Sequence, residues 1–453
     1  MFYKPPCIAI PFMAPFPRKI WIKTYGCQMN SRDSETLKAL LIQAGHVIVE
    51  NEKEANIALL NTCSVRDLAE LKALGKAGRL LKRKEKDPNF RVGILGCMAG
   101  RRGRELLKFL PHLDWIVPPQ ALPQIPQLIY ETLTQNKQTC TVADVPQAFD
   151  FTCYEQKLSP KPVLFVPIQQ GCGMHCSYCI VPKTRGGQQN RPFEGILTEI
   201  RQASQQGTRE VQLLGQIVNA YIDKDAKKNF VDLLEAVQEV DGIERIRFMS
   251  PHPSFFNDAL VACFARLPKL CPALHLPIQS GSNRILKLMR RGYTQEGVLT
   301  LIQALRAVDP KISVSTDLIV GYPGETEEDF EETASLFKEV AFDMAYIFKY
   351  SPRPTTEAAS SEEVIPEAVK EERNQRLLSL LNASSTAYNE TFVGTKQEVL
   401  IEGTAPHGNG KLFGRNRYNK KVIFDGSLKL VGSFKEIFIE KATSSALEGR
   451  IVD

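Results

Sequence analysis

The sequence predicts an α/β protein in three parts: an N-terminal parallel sheet domain, a central partial barrel of six strand–helix units, written (βα)6, and a small C-terminal antiparallel β-barrel. Three observations support this class. Strand-like and helix-like segments alternate from Lys19 onward, the unit repeats six times between residues 160 and 355, and the hydrophobic period changes to two after Gly394. A chain of 453 residues has room for about three domains of ordinary size.

The composition is ordinary for a globular protein, with 43% hydrophobic and 24% charged residues. No apolar run approaches the roughly 20 residues that cross a bilayer, so we expect no membrane partner. Five prolines within residues 1–17 interrupt any signal-peptide helix. We therefore interpret residues 1–17 as a disordered extension and expect a cytoplasmic protein.

The N-terminal part, residues 18–134, is predicted to be a parallel sheet of flavodoxin-like type. Three strand-like segments are each followed by a helical pattern, and the pairs lie at residues 20–25 and 31–44, 57–61 and 65–86, and 91–95 and 102–109. Ser31 is the expected N-cap of the first helix, and Gly45 ends it.

One cysteine follows each of these strands: Cys27, Cys63 and Cys97. The carboxyl ends of parallel strands lie together at one edge of a sheet, where open α/β folds bind ligands. A single cysteine at such a position is more often an ordinary buried residue. Three at equivalent positions, in a compartment that keeps thiols reduced, predict a 4Fe-4S cluster held by three thiolates with one iron open.

A basic stretch overlaps this region. Residues 66–108 carry 13 Lys and Arg against 5 Asp and Glu, a local net charge of +8. Such a charge attracts phosphate groups, although a solvated helix surface explains it equally well.

The central part, residues 158–390, contains the six strand–helix units and a connecting helix at residues 362–394. Its strands are predicted at residues 163–168, 210–214, 245–248, 273–277, 312–320 and 344–349. Six such units form a curved, incomplete barrel whose site lies at the carboxyl ends of the strands.

A glycine-flanked loop after the first of these strands holds Cys172, Cys176 and Cys179. A closed structural zinc site uses four protein ligands, whereas a 4Fe-4S cluster held by three thiolates leaves one iron free for a substrate. The spacing resembles that of the radical S-adenosylmethionine (radical SAM) enzymes. A chance cluster, or a zinc site completed by His175, is the alternative.

Polar residues follow the other strands of the barrel and suit a bound SAM molecule, which carries a charged amino acid end and a ribose. Each of them is also a residue that turns commonly contain. The candidates for SAM binding are Gln216, Asn219, Ser250, Gln279 and Asp317.

The C-terminal part, residues 391–453, shows short strands separated by glycine turns, at residues 398–402, 421–424, 435–439 and 449–452. Aromatic rings alternate there with cations, a combination that stacks on bases and pairs with phosphates. The alternative is a solvated basic hairpin. The candidate RNA-binding residues are Phe413, Arg415, Arg417, Tyr418, Lys420 and Lys421.

From about Arg18 to the end, the chain resembles the tRNA methylthiotransferase family, which combines an N-terminal cluster domain, a radical SAM core and an RNA-binding barrel of the TRAM type. The segments that carry the resemblance are Thr24-Tyr25-Gly26-Cys27-Gln28-Met29-Asn30, Asn61-Thr62-Cys63-Ser64-Val65-Arg66, the Cys172 loop continuing to Gly186, and His275 to Ser282. The first of these is most similar to the branch that modifies prenylated adenosine next to the anticodon.

The resemblance implies two 4Fe-4S clusters and two uses of SAM. One SAM donates a methyl group to sulfur carried at the Cys27, Cys63 and Cys97 cluster, and the other is cleaved at the Cys172, Cys176 and Cys179 cluster to yield a 5′-deoxyadenosyl radical. The radical activates C2 of N6-dimethylallyladenosine in tRNA, and a methylthio group replaces the hydrogen. An electron donor such as flavodoxin or ferredoxin is also implied, and we expect a monomer.

Two alternatives remain open at this point. A methylthiotransferase of another branch acts on threonylcarbamoyl-adenosine in tRNA or on an aspartate of a ribosomal protein. A protein of another class would be a non-enzymatic iron-sulfur protein that binds RNA or transfers electrons, and the polar mouth of the predicted barrel argues against it.

Overall fold

The computed structural model describes residues 17–64, 67–135, 140–146, 148–155, 159–406 and 410–452. These residues form two compact units. The first unit comprises the chain to Ser159 with residues 169–173 and 180–191, and the second comprises residues 160–168, 174–179 and 192–453. The predicted N-terminal extension lies almost wholly outside the described residues. Within the described ranges, no helix has the length and apolar character needed to span a membrane.

The strands of the described residues, in chain order, are β1 (Lys19–Tyr25), β2 (Val47–Ile48), β3 (Ile57–Thr62), β4 (Arg91–Gly96), β5 (Trp115–Val117), β6 (Thr141–Val142), β7 (Val163–Pro167), β8 (Gln169–Gln170), β9 (Gln189–Asn190), β10 (Glu210–Leu214), β11 (Ile222–Asp223), β12 (Lys228–Asn229), β13 (Arg245–Phe248), β14 (Ala273–His275), β15 (Ser313–Val320), β16 (Met344–Lys349), β17 (Lys396–Thr404), β18 (Leu412–Arg415), β19 (Lys421–Phe424), β20 (Phe434–Ala442) and β21 (Leu447–Ile451).

The α-helices of the same residues are α1 (Gln28–Gln43), α2 (Asp67–Lys86), α3 (Cys97–Arg102), α4 (Leu106–Phe109), α5 (Ile125–Thr134), α6 (Val181–Arg185), α7 (Phe193–Gln205), α8 (Phe230–Gln238), α9 (Asp258–Arg266), α10 (Asn283–Leu288), α11 (Gln295–Val308), α12 (Glu327–Val340) and α13 (Glu367–Glu390).

The first unit is built on a parallel sheet of strand order β2-β1-β3-β4-β5-β6. Its central strands β3 and β4 are buried along their whole length because helices cover both faces. Leu59 packs on one face with Leu37 and Leu41 of α1, and Leu60 packs on the other with Ala77 of α2. The N-terminal parallel sheet domain predicted from the alternating pattern is confirmed.

The start of α1 differs from the prediction. The helix begins at Gln28 with Cys27 as its N-cap, so the observed N-cap lies four residues before the predicted one, Ser31. The side chain of Asn30 accepts hydrogen bonds from both the backbone N–H and the thiol of Cys27, each at 3.3 Å, and this reciprocal cap stabilises the earlier first turn. A cysteine is not a typical N-cap residue, which explains why the pattern favoured Ser31.

The second unit contains all six strands predicted for the partial barrel, each within two residues of its expected bounds. They form two parallel three-stranded sheets, of order β13-β10-β7 and β14-β15-β16. An isolated parallel β-bridge pairs Ile246 of β13 with Leu270, just before β14. Strands β13 and β14 belong to the two different sheets. Helix α13, predicted at residues 362–394, is shorter because Pro366 precedes its first turn.

The C-terminal barrel is closed, with strand order β17-β18-β19-β21-β20. Four of its pairings are antiparallel, but β19 and β21 run parallel, so the barrel is not antiparallel throughout as expected. Strand direction cannot alternate around a closed ring of five strands, which requires at least one parallel pair. Strand β18 was not among the predicted strands, because its glycine and basic residues suggested a hairpin loop.

Two buried arginines of β13 hold this barrel within the second unit. Arg245 donates to the carbonyl of Arg415 at 2.7 Å, and Arg247 donates to the carbonyls of Asn416 and Arg417 at 2.7 and 2.9 Å. Both guanidinium groups are buried, and Arg247 also pairs with Glu210 at 3.0 Å. Charged donors satisfy backbone acceptors that the packing removes from water, which stabilises the docked position.

Candidate functional site

The three N-terminal cysteines lie at the carboxyl ends of three adjacent parallel strands. Cys27 follows β1 by two residues, Cys63 directly follows β3, and Cys97 directly follows β4 and begins α3. The strands end flush, since Tyr25 pairs with Thr62 and Thr62 pairs with Gly96. One edge of the sheet therefore presents all three thiols.

Two glycines allow the cysteine-bearing turns to approach each other. A Cβ atom on Gly26 would lie 2.8 Å from the Cβ of Cys63, and one on Gly96 would lie 2.6 Å from the carbonyl oxygen of Thr62. Gly96 also has φ +87°, a conformation that L side chains rarely adopt. Any larger residue would push the turns apart.

Two buried asparagines tie the same turns together. The side chain of Asn30 donates to the side-chain oxygen of Asn61 and to the carbonyl of Thr62, both at 3.3 Å. In return, the side chain of Asn61 donates to the carbonyl of Asn30 and to the hydroxyl of Ser34, both at 2.9 Å. Because buried amides that lack partners are costly, this network specifies one arrangement of the two turns.

Arg185, at the end of α6 in the same unit, points at this cysteine set. Its Nε donates to the sulfur of Cys97 at 3.3 Å, one terminal nitrogen donates to Gln170 at 2.9 Å, and the other pairs with Asp33 at 2.8 Å. Arg185 and Asp33 are both buried, with side chains 4% exposed. Each of the three guanidinium nitrogens therefore donates a hydrogen bond, and the acceptor of one of these bonds is a cysteine sulfur.

The pKa values of two of these thiols shift in opposite directions. A hydrogen bond with Cys63, together with the positive charge of Arg185, lowers the pKa of Cys27 to about 6. Burial raises the pKa of Cys97, and the Arg185 charge opposes that rise. Because the thiolate is the form that ligates metals, Cys27 is prepared for ligation near neutral pH.

The loop of the second cysteine set is divided between the units, and Cys172 belongs to the first. Its backbone N–H donates to the carbonyl of Gly186 at 3.1 Å. Gly171, with φ +72°, lies so close to Gly186 and Gly187 that a Cβ would be 2.5 Å from the Gly186 oxygen and nearer still to that of Gly187. Glycine is therefore required immediately before this cysteine.

Cys176 and Cys179 belong to the second unit, where Ser177 anchors the segment between them. The Ser177 backbone N–H donates to the carbonyl of Met289 at 3.2 Å, and its hydroxyl donates to the carbonyl of Leu288 at 2.8 Å. The buried serine thereby sets the path of the chain on both sides of it.

A second buried arginine approaches Cys176. Arg291 donates from Nη1 to the Cys176 sulfur at 3.4 Å, while its Nε donates to the hydroxyl of Tyr293 at 2.8 Å and its other terminal nitrogen to the carbonyl of Pro277 at 2.9 Å. Three directed contacts hold the guanidinium in one orientation, so each cysteine set has one sulfur beside a buried arginine.

Four of the five candidate SAM-binding residues follow the carboxyl ends of strands of the second unit, whereas Asp317 lies within β15, three residues before its end. The five residues differ in role. Asn219 exchanges two hydrogen bonds with the backbone of His252, at 2.8 and 2.9 Å, and so holds a loop. Ser250 and Gln279 adopt positive φ, 58° and 67°. Such strain in residues other than glycine persists where the surrounding structure requires it, and it clusters at ligand sites.

Three buried polar atoms in or after these strands have no hydrogen-bond partner within the described ranges: the acceptors Gln216 Oε1 and Asp317 Oδ1, and His252 Nε2. His252 Nδ1 accepts from the backbone N–H of Ser254 at 3.3 Å, so the neutral ring carries its proton on Nε2, which is a donor. His275 Nε2 lies 3.5 Å from Asp317 Oδ1 without forming a hydrogen bond. Burial, with a contribution from Arg291, lowers the pKa of His252 to about 3, so its ring is neutral at physiological pH. Unfilled buried acceptors fit a polar ligand such as SAM.

The candidate RNA-binding residues of the barrel are mostly bonded within their own unit. Lys420 is buried and donates to Asp343 at 2.6 Å, Arg417 donates to the carbonyl of Pro268 at 2.6 Å, and Arg415 pairs with Glu402 at 2.6 Å. Tyr418 contacts Asp309 at 3.5 Å, whereas Phe413 and Lys421 contact each other as a cation–π pair. The last two residues are half-buried and lie on the neighbouring strands β18 and β19.

In the part of the chain that the structure describes, no three His, Cys, Asp or Glu side chains gather as ligands of a single metal ion. A 4Fe-4S cluster has different requirements, since its thiolates ligate different irons. At the N-terminal cysteine set, glycine turns with no room for a side chain and a sulfur beside a buried arginine fit such a cluster.

Three family models match the chain. Residues 166–337 match the radical SAM superfamily, residues 19–118 match the uncharacterized protein family UPF0004, and residues 390–452 match the TRAM domain. The radical SAM match implies a 4Fe-4S cluster and SAM.

The chain is 47% identical to the tRNA-2-methylthio-N(6)-dimethylallyladenosine synthase of Opitutus terrae, over 96% of this chain and 97% of that protein. It is 44% identical to the synthase of the same name from Akkermansia muciniphila, over 95% and 98%, and 42% identical to that of Methylacidiphilum infernorum, over 95% and 94%. The chain belongs to this synthase family. It is therefore an enzyme, and the resemblance drawn from the cysteine motifs is confirmed.

Solved structures show the same fold at low identity. The radical SAM methyltransferase TsrM of Kitasatospora setae, solved with cobalamin and a 4Fe-4S cluster, matches with a TM-score of 0.57 at 12% identity, covering 76% of this chain and 74% of that one. The cobalamin-dependent radical SAM enzyme OxsB matches with a TM-score of 0.52 at 10% identity, covering 81% and 56%.

Sequence patterns alone do not single out the two arginines or the asparagine network. Arg185, Asn30 and Asn61 stand inside the segments that carried the family resemblance, and Arg291 follows α10 in an Arg-Arg-Gly-Tyr run. The motifs marked these stretches, but only folding shows that Arg185 reaches a cysteine 88 residues away in sequence.

We expect Gly96→Ala to destabilise the first unit by about 2–5 kcal/mol, since it adds a left-handed Ala and a clash with the backbone of β3. Gly103→Ala is the matched control, because Gly103 also has positive φ but faces open space. We expect this substitution to destabilise the unit by about 1 kcal/mol. Urea unfolding followed by tryptophan fluorescence reports this unit alone, since Trp21 and Trp115 both lie in it. Equal losses in both variants would contradict the close approach of the turns.

Proposed function

We propose that this enzyme replaces the C2 hydrogen of N6-dimethylallyladenosine, next to the anticodon of tRNA, by a methylthio group, with one SAM molecule as methyl donor and another as radical source. The observation that carries the proposal is identity of 42–47%, over at least 95% of the chain, with three synthases named for the 2-methylthio derivative of this nucleoside. The TRAM match supports tRNA as the form in which the nucleoside is presented.

We assign one 4Fe-4S cluster to Cys172, Cys176 and Cys179, and a second to Cys27, Cys63 and Cys97. The glycine turns, the low pKa of Cys27 and the directed arginines support these ligand sets. When bound, the first cluster supplies the electron that cleaves SAM, and the second carries the sulfur that is transferred.

The side chains at the strand ends of the second unit bind and orient SAM in this proposal. Gln216 and Asp317 provide the unfilled acceptors for its amino group and ribose hydroxyls, and His252, neutral because it is buried, provides a donor from Nε2. Asn219, Ser250 and Gln279 shape the loops around the ligand through backbone bonds and left-handed conformations.

We further propose that the enzyme works as a cytoplasmic monomer and receives electrons from a flavodoxin or ferredoxin. Phe413 and Lys421 are the barrel residues that we expect to touch RNA directly. Arg415, Arg417, Tyr418 and Lys420 would support RNA binding by holding the barrel in place, since their polar groups contact residues of their own unit.

The substrate is tested by mass spectrometry of nucleosides from total tRNA of a strain that lacks this gene. We expect the methylthio derivative of N6-dimethylallyladenosine to disappear and the unmethylthiolated nucleoside to accumulate, with restoration by the intact gene. Retention of the methylthio group on the prenylated nucleoside, with loss from threonylcarbamoyl-adenosine or from a ribosomal protein, would show that the substrate is wrong and the reaction class right.

The division of labour between the cysteine sets is tested by single substitutions. Cys176→Ala should abolish SAM cleavage, whereas Cys63→Ala should spare it, and both should stop methylthiolation. Each variant should hold about four irons where the intact enzyme holds about eight. Cys140→Ala is the control, because this half-buried cysteine lies outside both sets. Loss of SAM cleavage in a Cys63→Ala protein that retains four irons would contradict the assignment.

Arg185→Lys tests the contact with Cys97. Lysine keeps a positive charge for Asp33 but cannot also donate to the sulfur, so the reduction potential of the N-terminal cluster should fall by on the order of tens of millivolts. The potential is measured by titration with EPR detection in a Cys176→Ala background. Arg101→Lys, which alters the pair with Glu70 in the same unit, should leave the potential unchanged. An unchanged potential in the Arg185 variant would show that the contact does not reach the bound cluster.

A further inference from the structure

One face of α2 is exposed along its whole length and remains unused by the contacts described above. The face is defined by residues at helical spacing, three or four apart, that lie within about 60° of one line along the helix. Its members are Leu68, Leu71, Lys72, Gly75, Gly78, Arg79, Lys82 and Lys86.

The cations of α2 divide into two groups. Lys76, Arg83 and Lys84 are bonded within the first unit: Lys76 to Glu52, Arg83 to the Glu52 and Ala55 carbonyls, and Lys84 to Asp114. The four cations of the exposed α2 face, Lys72, Arg79, Lys82 and Lys86, form no ion pair with any residue in the described ranges and extend over about 21 Å of helix.

Most charge of the opposite sign lies away from this face. Glu70 is buried on the inner side of the helix and paired with Arg101 and Arg102. Glu85 is exposed, follows Lys82 by three residues, and lies about 80° from the centre of the α2 face, at its edge. The α2 face thus presents four cations with one carboxylate at its edge, and this excess of positive charge suits a polyanion.

Two glycines interrupt the same face in the middle of the helix. Each costs roughly 1 kcal/mol of helix stability relative to alanine. A Cβ atom on Gly75 or Gly78 would have no neighbour within 4 Å, so packing inside the protein does not require either glycine. They leave the helix backbone open to close approach from outside, with cations on both sides of the gap.

We propose that the exposed α2 face binds the sugar–phosphate backbone of the tRNA substrate. The inference rests on the proposed function, which supplies a polyanionic substrate. In the C-terminal barrel, Arg415, Arg417 and Lys420 are bonded within their own unit, so these three cations leave tRNA phosphates to be neutralised by other residues. Leu68 and Leu71, 62% and 65% exposed, provide apolar contact for a ribose or base at one end of the α2 face.

The contribution of the α2 cations to tRNA binding is tested with the full-length enzyme and unmodified substrate tRNA. Lys72→Gln/Arg79→Gln should weaken binding about ten-fold at 0.15 M salt and lower the slope of log K against log salt by about two, one for each lost phosphate contact. Lys53→Gln/Lys108→Gln removes the same charge from exposed positions of the same unit and should change neither value. Equal effects in both double variants would overturn the proposal, since they would reflect net charge alone.

The close approach of tRNA to the helix backbone at Gly75 and Gly78 is tested by Gly75→Gln. Glutamine is a better helix former and faces open space, so the melting temperature should not fall, while the added side chain should weaken tRNA binding several-fold. Binding equal to that of the unsubstituted enzyme would overturn the close approach of tRNA to this helix.

The outcomes distinguish this inference from the proposed function. If the unsubstituted enzyme modifies tRNA and every α2 variant binds tRNA normally, the inference fails and the function stands. If the variants bind tRNA normally but lose turnover with a flavodoxin or ferredoxin and not with dithionite, the α2 face docks the electron donor, which also overturns the inference. If the unsubstituted enzyme does not modify this tRNA, the proposed function itself fails.

Discussion

The close approach of the turns after β1, β3 and β4 is the constraint on which the N-terminal site depends. Gly26 and Gly96 leave no room for side chains, and the reciprocal amide bonds of Asn30 and Asn61 draw two of the turns together. Three cysteines from distant parts of the chain thereby reach one sheet edge. The same residues also start α1 at Cys27, so the helix cap and the thiol position are one structural feature.

Each cysteine set has one sulfur that accepts a hydrogen bond from a buried arginine. Arg185 approaches Cys97 at 3.3 Å and Arg291 approaches Cys176 at 3.4 Å, and in both cases the other guanidinium nitrogens are bonded to groups of the protein. A buried charge is costly unless it is paired, and Arg185 is paired with Asp33. Arg291 is held by hydrogen bonds to the hydroxyl of Tyr293 and the carbonyl of Pro277. Hydrogen bonds to ligand sulfurs are one means by which a protein adjusts the potential of an iron-sulfur cluster.

Basic residues in this enzyme serve two purposes that sequence composition does not separate. In the C-terminal barrel, Arg417 and Lys420 contribute to docking against the strands of the second unit, together with Arg245 and Arg247. On α2, the internally bonded and the unpaired cations alternate around one helix. The cations available to a nucleic acid are therefore identified by determining which basic side chains are bonded within the protein and which are not.

The sequence by itself determined the fold class, the positions of 13 strands and the cysteine spacing, because hydrophobic periodicity and motif spacing are local properties of the chain. The family followed from the same motifs. Tertiary structure alone decided which polar residues are free to act. Lys420 and Lys421 are neighbours in sequence, yet one is buried against Asp343 and the other lies over Phe413. Partners such as Arg185 and Cys97 meet only when strands and helices pack, so no local pattern encodes their contact.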